Sequence, residues 1–124
     1  MKILIPACAL LLASCLAIGA PARPGKVGHP SFLSPHSKPV VINGGHVFVV
    51  NTPADSVDVI DRKTHEVVRR ISVGVDPVGL ALRPDGKELW VSNHVSDSVS
   101  VIDLARKSAT RFHVVATIQD IDSR

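Results

Sequence analysis

From Pro39 onward the apolar residues come in short runs separated by Asn, Asp, Gly and Pro. Residues 40–42 and 46–50 flank Asn43-Gly44-Gly45. An Asn-Gly pair between two apolar runs predicts a hairpin, because the turn needs positive φ at its centre. Residues 56–60 and 66–71 read as two further strands, and a second set is predicted at 78–82, 88–91, 98–102 and 113–118. Nowhere in this region do apolar residues recur at three- and four-residue spacing over several turns, so no helix is expected there. Val47-Phe48-Val49-Val50 is apolar at every position instead of every second one, which predicts a strand covered on both faces.

The two sets are copies. Phe48-Val49-Val50-Asn51 returns forty-two residues later as Trp90-Val91-Ser92-Asn93, and Asp55 through Asp61 returns as Asp97 through Asp103. Asp85-Gly86 falls, at the same offset, in the hairpin slot of Asn43-Gly44. Val67 through Ile71 matches Val114 through Ile118 at an offset of forty-seven, so five extra residues, around 105–112, lengthen the last turn of the second copy. A repeat of about 40–50 residues built from short strands is the signature of β-propeller blades. The expected class is therefore all-β: about two four-stranded antiparallel blades, 39–76 and 77–124, of an incomplete propeller. Two copies do not close a ring, and the second has no continuation like Ser72 to Pro77 of the first. That pattern is expected of an N-terminal piece of a larger protein.

These stretches resemble the YVTN family of β-propeller repeats. Phe48 to Asn51 and Trp90 to Asn93 stand where the family's name motif falls. Val59-Ile60-Asp61, Ile71 to Gly74, Pro77 and Pro84-Asp85-Gly86 also stand at family positions. The resemblance covers His46 to Asp103 closely and Val114 to Ile118 loosely. It implies a propeller, commonly of seven blades, in an exported or surface protein.

Physical chemistry gives the repeated residues structural duties. Asn51 and Asn93 are expected to end strands in left-handed backbone, which asparagine tolerates. Asp61 and Asp103 are expected to accept backbone N–H bonds as Asx turns. Gly74 and Pro77 are assigned to the blade-to-blade crossing, Asp85 and Gly86 to a hairpin turn, and Phe48 and Trp90 to the space between blades.

The N-terminus departs from this pattern. Lys2 is followed by a charge-free stretch over 3–20 and by small residues at Ala20 and Ala22, the layout of a secretory signal peptide cleaved after residue 22. An uncleaved membrane anchor is the alternative that its length allows. Leu12-Ala13-Ser14-Cys15 also resembles a bacterial lipobox, which makes Cys15 a candidate lipidation site. Both lead to export, to the periplasm, cell surface or medium. Membrane association is expected only if Cys15 is lipidated or the signal is retained. Residues 23–38, with Pro24, Gly25, Gly28, Pro30 and Pro35, read as a linker.

Composition narrows the chemistry. Both cysteines, Cys8 and Cys15, lie in the signal segment, so the mature chain is expected to carry no disulfide and no thiolate site. The chain has 14 Lys and Arg against 11 Asp and Glu, and cleavage removes only Lys2 of these; this balance gives no argument for nucleic acid. No phosphate loop, HExxH, GxSxG or CxxCH motif is present, and no catalytic, cofactor-binding or metal residue is assigned. Asp55, Asp58 and Asp61 are spaced like calcium ligands but lack the glycine and distal glutamate of an EF-hand loop. His29 and His36 have no further ligands nearby in sequence; His46, His65, His94 and His113 are scattered and read as surface or turn histidines, and His94, in the loop after Asn93, has no partner placed beside it by the sequence. The leading expectation is a binding or scaffolding module that presents loops to a protein, glycan or other ligand, with the remaining blades as partners. The alternative is part of a propeller enzyme, quinoprotein-dehydrogenase-like or lactonase-like, to which two blades would contribute a fraction of the site.

Overall fold

The computed structural model describes residues 35–120. The signal segment 1–22 with Cys8 and Cys15, and residues 23–34 of the linker, lie outside the described residues. Eight strands form two antiparallel meanders. The first sheet runs β1 (Val40–Asn43), β2 (His46–Asn51), β3 (Ser56–Asp61) and β4 (Val67–Ser72); the second runs β5 (Pro77–Leu82), β6 (Glu88–Asn93), β7 (Ser98–Asp103) and β8 (Val114–Gln119). Each sheet is a propeller blade. Among the described residues there is no α-helix, only a 3₁₀ turn at Thr52–Ala54 between β2 and β3.

The repeat extends to the irregularities. The β3–β4 register shifts between Val59 and Ile60, and the β7–β8 register shifts between the equivalent Val101 and Ile102. Such bulges add twist, which fans a blade from its first strand to its last. The first hairpins differ. Asn43 pairs with His46 across a two-residue turn in which Gly44 has φ +58°. In the second blade the last paired residues are Leu82 and Leu89, and Gly86 takes φ +70°. The offset of forty-two therefore holds from the second strand of each blade. The first strands are related at forty instead, because the turn carrying Pro84-Asp85-Gly86 is longer.

The core is the interface between the blades. Strand alternation puts Phe48, Val57, Val59 and Ile71 on one face of the first blade and Leu80, Leu89, Val91 and Ile102 on one face of the second. These eight, with Leu104, form a single buried cluster. Burying each such side chain contributes roughly 1.5–3 kcal/mol relative to leaving it in water. β5 lies against β1 and β2 of the first blade, and Ser37, ahead of β1, makes a parallel bridge to Gly79 on β5.

The cover expected on both faces of Val47 to Val50 is present on one. Phe48 is buried, whereas Val47, Val49 and Val50 are half-buried. Their counterparts Leu89 and Val91 are fully buried because the first blade covers them. The outer face of the first blade has no such neighbour among the described residues, and Val40, Ile42 and Val67 are exposed. Trp90 departs from its expected place for the same reason. It occupies the position of Phe48 but faces outward, 39% exposed, with Nε1 donating to Glu88 Oε2 at 3.1 Å.

Candidate functional site

Asn51 and Asn93 are the last residues of β2 and β6, as expected, but neither takes left-handed backbone: Asn51 has φ −113°, and Asn93 is not among the positive-φ residues. The left-handed residues are Asp55 (φ 49°) and Asp97 (φ 43°), four positions on. A strand asparagine can instead bond across to the next strand. Asn51 Nδ2 donates to Asp58 Oδ2 at 3.1 Å, and Asn93 Nδ2 donates to Ser100 Oγ at 3.0 Å and Ser98 Oγ at 3.2 Å. Asp58 also takes two bonds from Arg70, at 2.7 and 3.1 Å. The Arg70 guanidinium lowers the Asp58 carboxyl pKa, with burial opposing and Asn51 assisting.

The aspartates at the ends of β3 and β7 bind their own turns. Asp61 Oδ1 accepts the N–H groups of Lys63 (2.7 Å) and Thr64 (3.0 Å). Asp103 accepts the Ala105 N–H at 2.8 Å and the Thr110 hydroxyl at 2.7 Å. Thr64 and Lys63 N–H groups lower the Asp61 pKa; the Ser108 hydroxyl, the Ala105 N–H and the Thr110 hydroxyl lower that of Asp103. Asp55, Asp58 and Asp61 are not brought together: Asp55 Oδ1 accepts the Asp76 N–H, Asp58 holds Arg70, and Asp61 ends β3 on its turn. Among the described residues no three His, Cys, Asp or Glu side chains converge as a metal site.

At the crossing between blades, Gly74 packs against Asn93 and Ser96, and Pro77 is buried with its carbonyl accepting the Thr52 hydroxyl at 2.8 Å. Next to them His94 sits in a turn with Nδ1 3.3 Å from Asp76 Oδ2, and its N–H donates to the Asp76 carbonyl at 2.9 Å. Asp76 is buried and the His94 ring is exposed. His36 Nε2 lies 2.8 Å from the Thr52 hydroxyl, and His29 lies outside the described residues.

The opposite end holds a cleft of about 820 Å³. Its walls are the β1–β2 turn, the β5–β6 turn and the long β7–β8 turn. Asn43 Nδ2 donates to the Gly86 carbonyl at 2.8 Å and ties the two hairpin turns together. The Leu104 N–H donates to the Lys87 carbonyl at 2.8 Å. The five-residue lengthening is folded and anchored. Phe112, at φ 63°, lays its ring edge-on to His46 at 5.2 Å and 6.1 Å from Phe48. That docking carries the rest of the turn across to the first blade. Arg111 stacks its guanidinium 4.5 Å from the Phe112 centroid, and the Arg106 guanidinium reaches Gly44.

Lys87, Arg106, Lys107 and Arg111 therefore line one cleft. The one carboxylate in its wall, Asp85, accepts from Arg83 Nε (2.9 Å) and from the Lys87 N–H (2.9 Å). Arg83, and secondly the Lys87 N–H, hold the Asp85 carboxyl down at a pKa of about 2. The lengthening at 105–112 was visible in the sequence. Its convergence with Lys87 and Gly44 was not, because it depends on contacts between blades.

Two consecutive four-stranded meanders packed face to face, with turns from both blades around a cleft, define a β-propeller repeat protein. A family model of YNCE-like beta-propellers matches residues 12–122, and the chain belongs to that family. No curated protein sequence matches it. Among solved structures it is similar to the Kuenenia stuttgartiensis hydrazine synthase, at 29% identity and TM-score 0.57, over 74% of this chain and 27% of that one. The Cps50 (Swd1) β-propeller domain of Myceliophteria thermophila matches at 20% identity and TM-score 0.57, over 68% of this chain and 29% of that one. The dihydro-heme d1 dehydrogenase NirN matches at 22% identity and TM-score 0.52, over 73% of this chain and 18% of that one. The chain thus spans less than a third of each of these structures.

Proposed function

We propose that this chain supplies two adjacent blades to an exported β-propeller that acts in binding or scaffolding, through turns presented at the ends of its blades. The observation that carries the reading is the cleft built from three turns of two blades, with Phe112 fixing the longest turn against the first blade. Turns held on a rigid scaffold suit recognition, and its volume suits a small ligand or a protruding group of a larger one. Export rests on the Lys2 to Ala22 pattern, with Cys15 as the lipidation alternative.

Further blades are the natural occupants of the two outer faces. The repeat maps Val47 and Val49 onto the buried Leu89 and Val91, and Trp90 onto the buried Phe48. Each outer face thus carries one half of the interface already formed between the blades.

The test is chemical-shift mapping on the full-length chain against a panel of glycans, peptides and small anions. Binding that moves residues 43–46, 85–87 and 104–111 is expected. Ligand-induced shifts confined to His94 and Asp76 would replace this reading with the second one, a contribution to a propeller enzyme. That alternative is favoured by the His94–Asp76 contact, in which a buried carboxylate orients an exposed imidazole. The similarity to hydrazine synthase is compatible with it.

A further inference from the structure

We propose that the cleft between the β1–β2, β5–β6 and β7–β8 turns is a binding site for a small polyanion bearing two or more oxyanion groups, with Lys87, Arg106, Lys107 and Arg111 as its cationic lining. The inference rests on the binding reading above and names the chemistry of the ligand.

The charge balance of the cleft carries it. Four cations stand in its wall and one carboxylate, Asp85, which is already committed to Arg83. Among the described residues Arg106 and Lys107 have no ion-pair partner, and Lys87 is only partly balanced by Asp85, which Arg83 holds more strongly. Arg111 is partly balanced by Asp103, yet its Nε is buried without a hydrogen-bond partner. Like charges gathered at the mouth of one cleft repel, and the repulsion falls when a ligand of opposite sign enters.

The lining is also placed, not merely gathered. Arg106 reaches Gly44 because Phe112 docks beside His46, and the Lys87 backbone is held where its carbonyl accepts the Leu104 N–H. The cations come from both walls, so the ligand would bridge the β5–β6 turn and the β7–β8 turn. Guanidinium groups present paired N–H donors that match the geometry of phosphate and carboxylate oxygens. A monoanion would leave most of the lining charge uncompensated. A phosphate-type polyanion or a polycarboxylate compensates it, within a volume typical of small-ligand sites.

Isothermal titration of the full-length chain with inorganic pyrophosphate and, separately, with citrate tests the proposal. Saturable binding of at least one is expected, tighter than that of chloride or acetate and weakening with added salt. Preference for pyrophosphate assigns phosphate-type ligands, and preference for citrate assigns polycarboxylates. R106Q/K107Q should weaken binding at least tenfold, and K87Q alone severalfold, whereas K63Q, the same single charge change as K87Q but on the β3–β4 turn outside the cleft, should have little effect. Circular dichroism and thermal unfolding identify any variant whose fold is altered. For such a variant, pyrophosphate-induced shifts at Lys87 and Arg106 in the unmodified chain decide instead. Absence of saturable binding, or equal weakening by K63Q and R106Q/K107Q, overturns the proposal. If neutral glycans or peptides still move the same turns, the polyanion assignment fails while the binding reading stands.

Discussion

Gly74 lies directly against the side-chain amide of Asn93, one residue from the crossing segment and the other from the second blade. A Cβ built on Gly74 would come within 2.6 Å of Asn93 Nδ2 and closer still to Ser96 Oγ. Neither neighbour is free to yield: Asn93 bonds Ser98 and Ser100, and Ser96 Oγ accepts the Val75 N–H at 3.0 Å. Gly74→Ala should therefore destabilise the chain by about 1–3 kcal/mol, the usual cost of forcing volume into a packed site. Urea unfolding measures it. Adding Ser96→Ala should restore part of the loss, and an unchanged midpoint for Gly74→Ala would show that the crossing has slack.

The first blade's counterpart of that asparagine supports an ion pair. Asp58, largely buried, holds Arg70, which is 58% exposed. Exposed pairs are typically worth only about 0.2–1 kcal/mol, and Arg70→Met should cost an amount near the upper end because Asp58 is left with Asn51 alone. Asp58→Ser recreates the pairing of Asn93 with Ser100, so the double variant Asp58→Ser/Arg70→Met should be closer to wild type than Arg70→Met. A double-mutant cycle by chemical denaturation checks the sign, and strict additivity would remove the coupling.

Acid should weaken the fold through the turns. Asp85 has a folded pKa of about 2, below the ordinary carboxylate value, and Asp58, Asp61 and Asp103 are shifted in the same direction. A depressed folded pKa means the unfolded chain takes up protons first. The contribution of Asp85 is therefore fully present above about pH 4 and is lost as pH falls through about 2. Stability measured from pH 5 downward should decline over that window, and Asp85→Asn should flatten part of the decline. A stability that is level down to pH 2 would contradict the assignment.

The blades were legible because strands alternate with period two and the repeat writes each strand twice. The lengthened β7–β8 turn could be read from the change of offset from forty-two to forty-seven, whereas the bulges, carried by both blades at the same offset, left no mark in it. What sequence could not supply was the partner of each face. Trp90 and Phe48 hold equivalent places, yet only Phe48 has a second blade over it, so their exposures differ although their local patterns agree. Asn51 and Asn93 looked like turn residues because asparagine favours left-handed backbone; the adjacent strand offers Asp58 and Ser100 as acceptors, and the left-handed role passes to Asp55 and Asp97. The cationic cleft was hidden for the same reason. Arg106, Lys107 and Arg111 are neighbours in the chain, but Lys87 and Gly44 join them only after Phe112 packs beside His46.

The outer faces make a last prediction accessible through the single tryptophan of the chain. Trp90 is 39% exposed on the outer face of the second blade, where Ile118 is also exposed, while Val40, Ile42 and Val67 are exposed on the outer face of the first. Because the repeat makes these faces the two unlike halves of one interface, contact between copies should be head-to-tail, not symmetric. Raising the concentration of the full-length chain should therefore shift Trp90 emission toward the blue as water leaves the indole, in step with a rise in sedimentation coefficient. Ile42→Lys alters the opposite face and does not touch Trp90. In a head-to-tail contact it should nevertheless abolish the shift, because a lysine ammonium on a covered apolar face must be desolvated without a partner. If emission still shifts in Ile42→Lys, the contact joins the two Trp90 faces symmetrically and the equivalence of Trp90 with Phe48 has no consequence for assembly. If emission does not change with concentration in the parent chain, the two faces do not recognise one another at all.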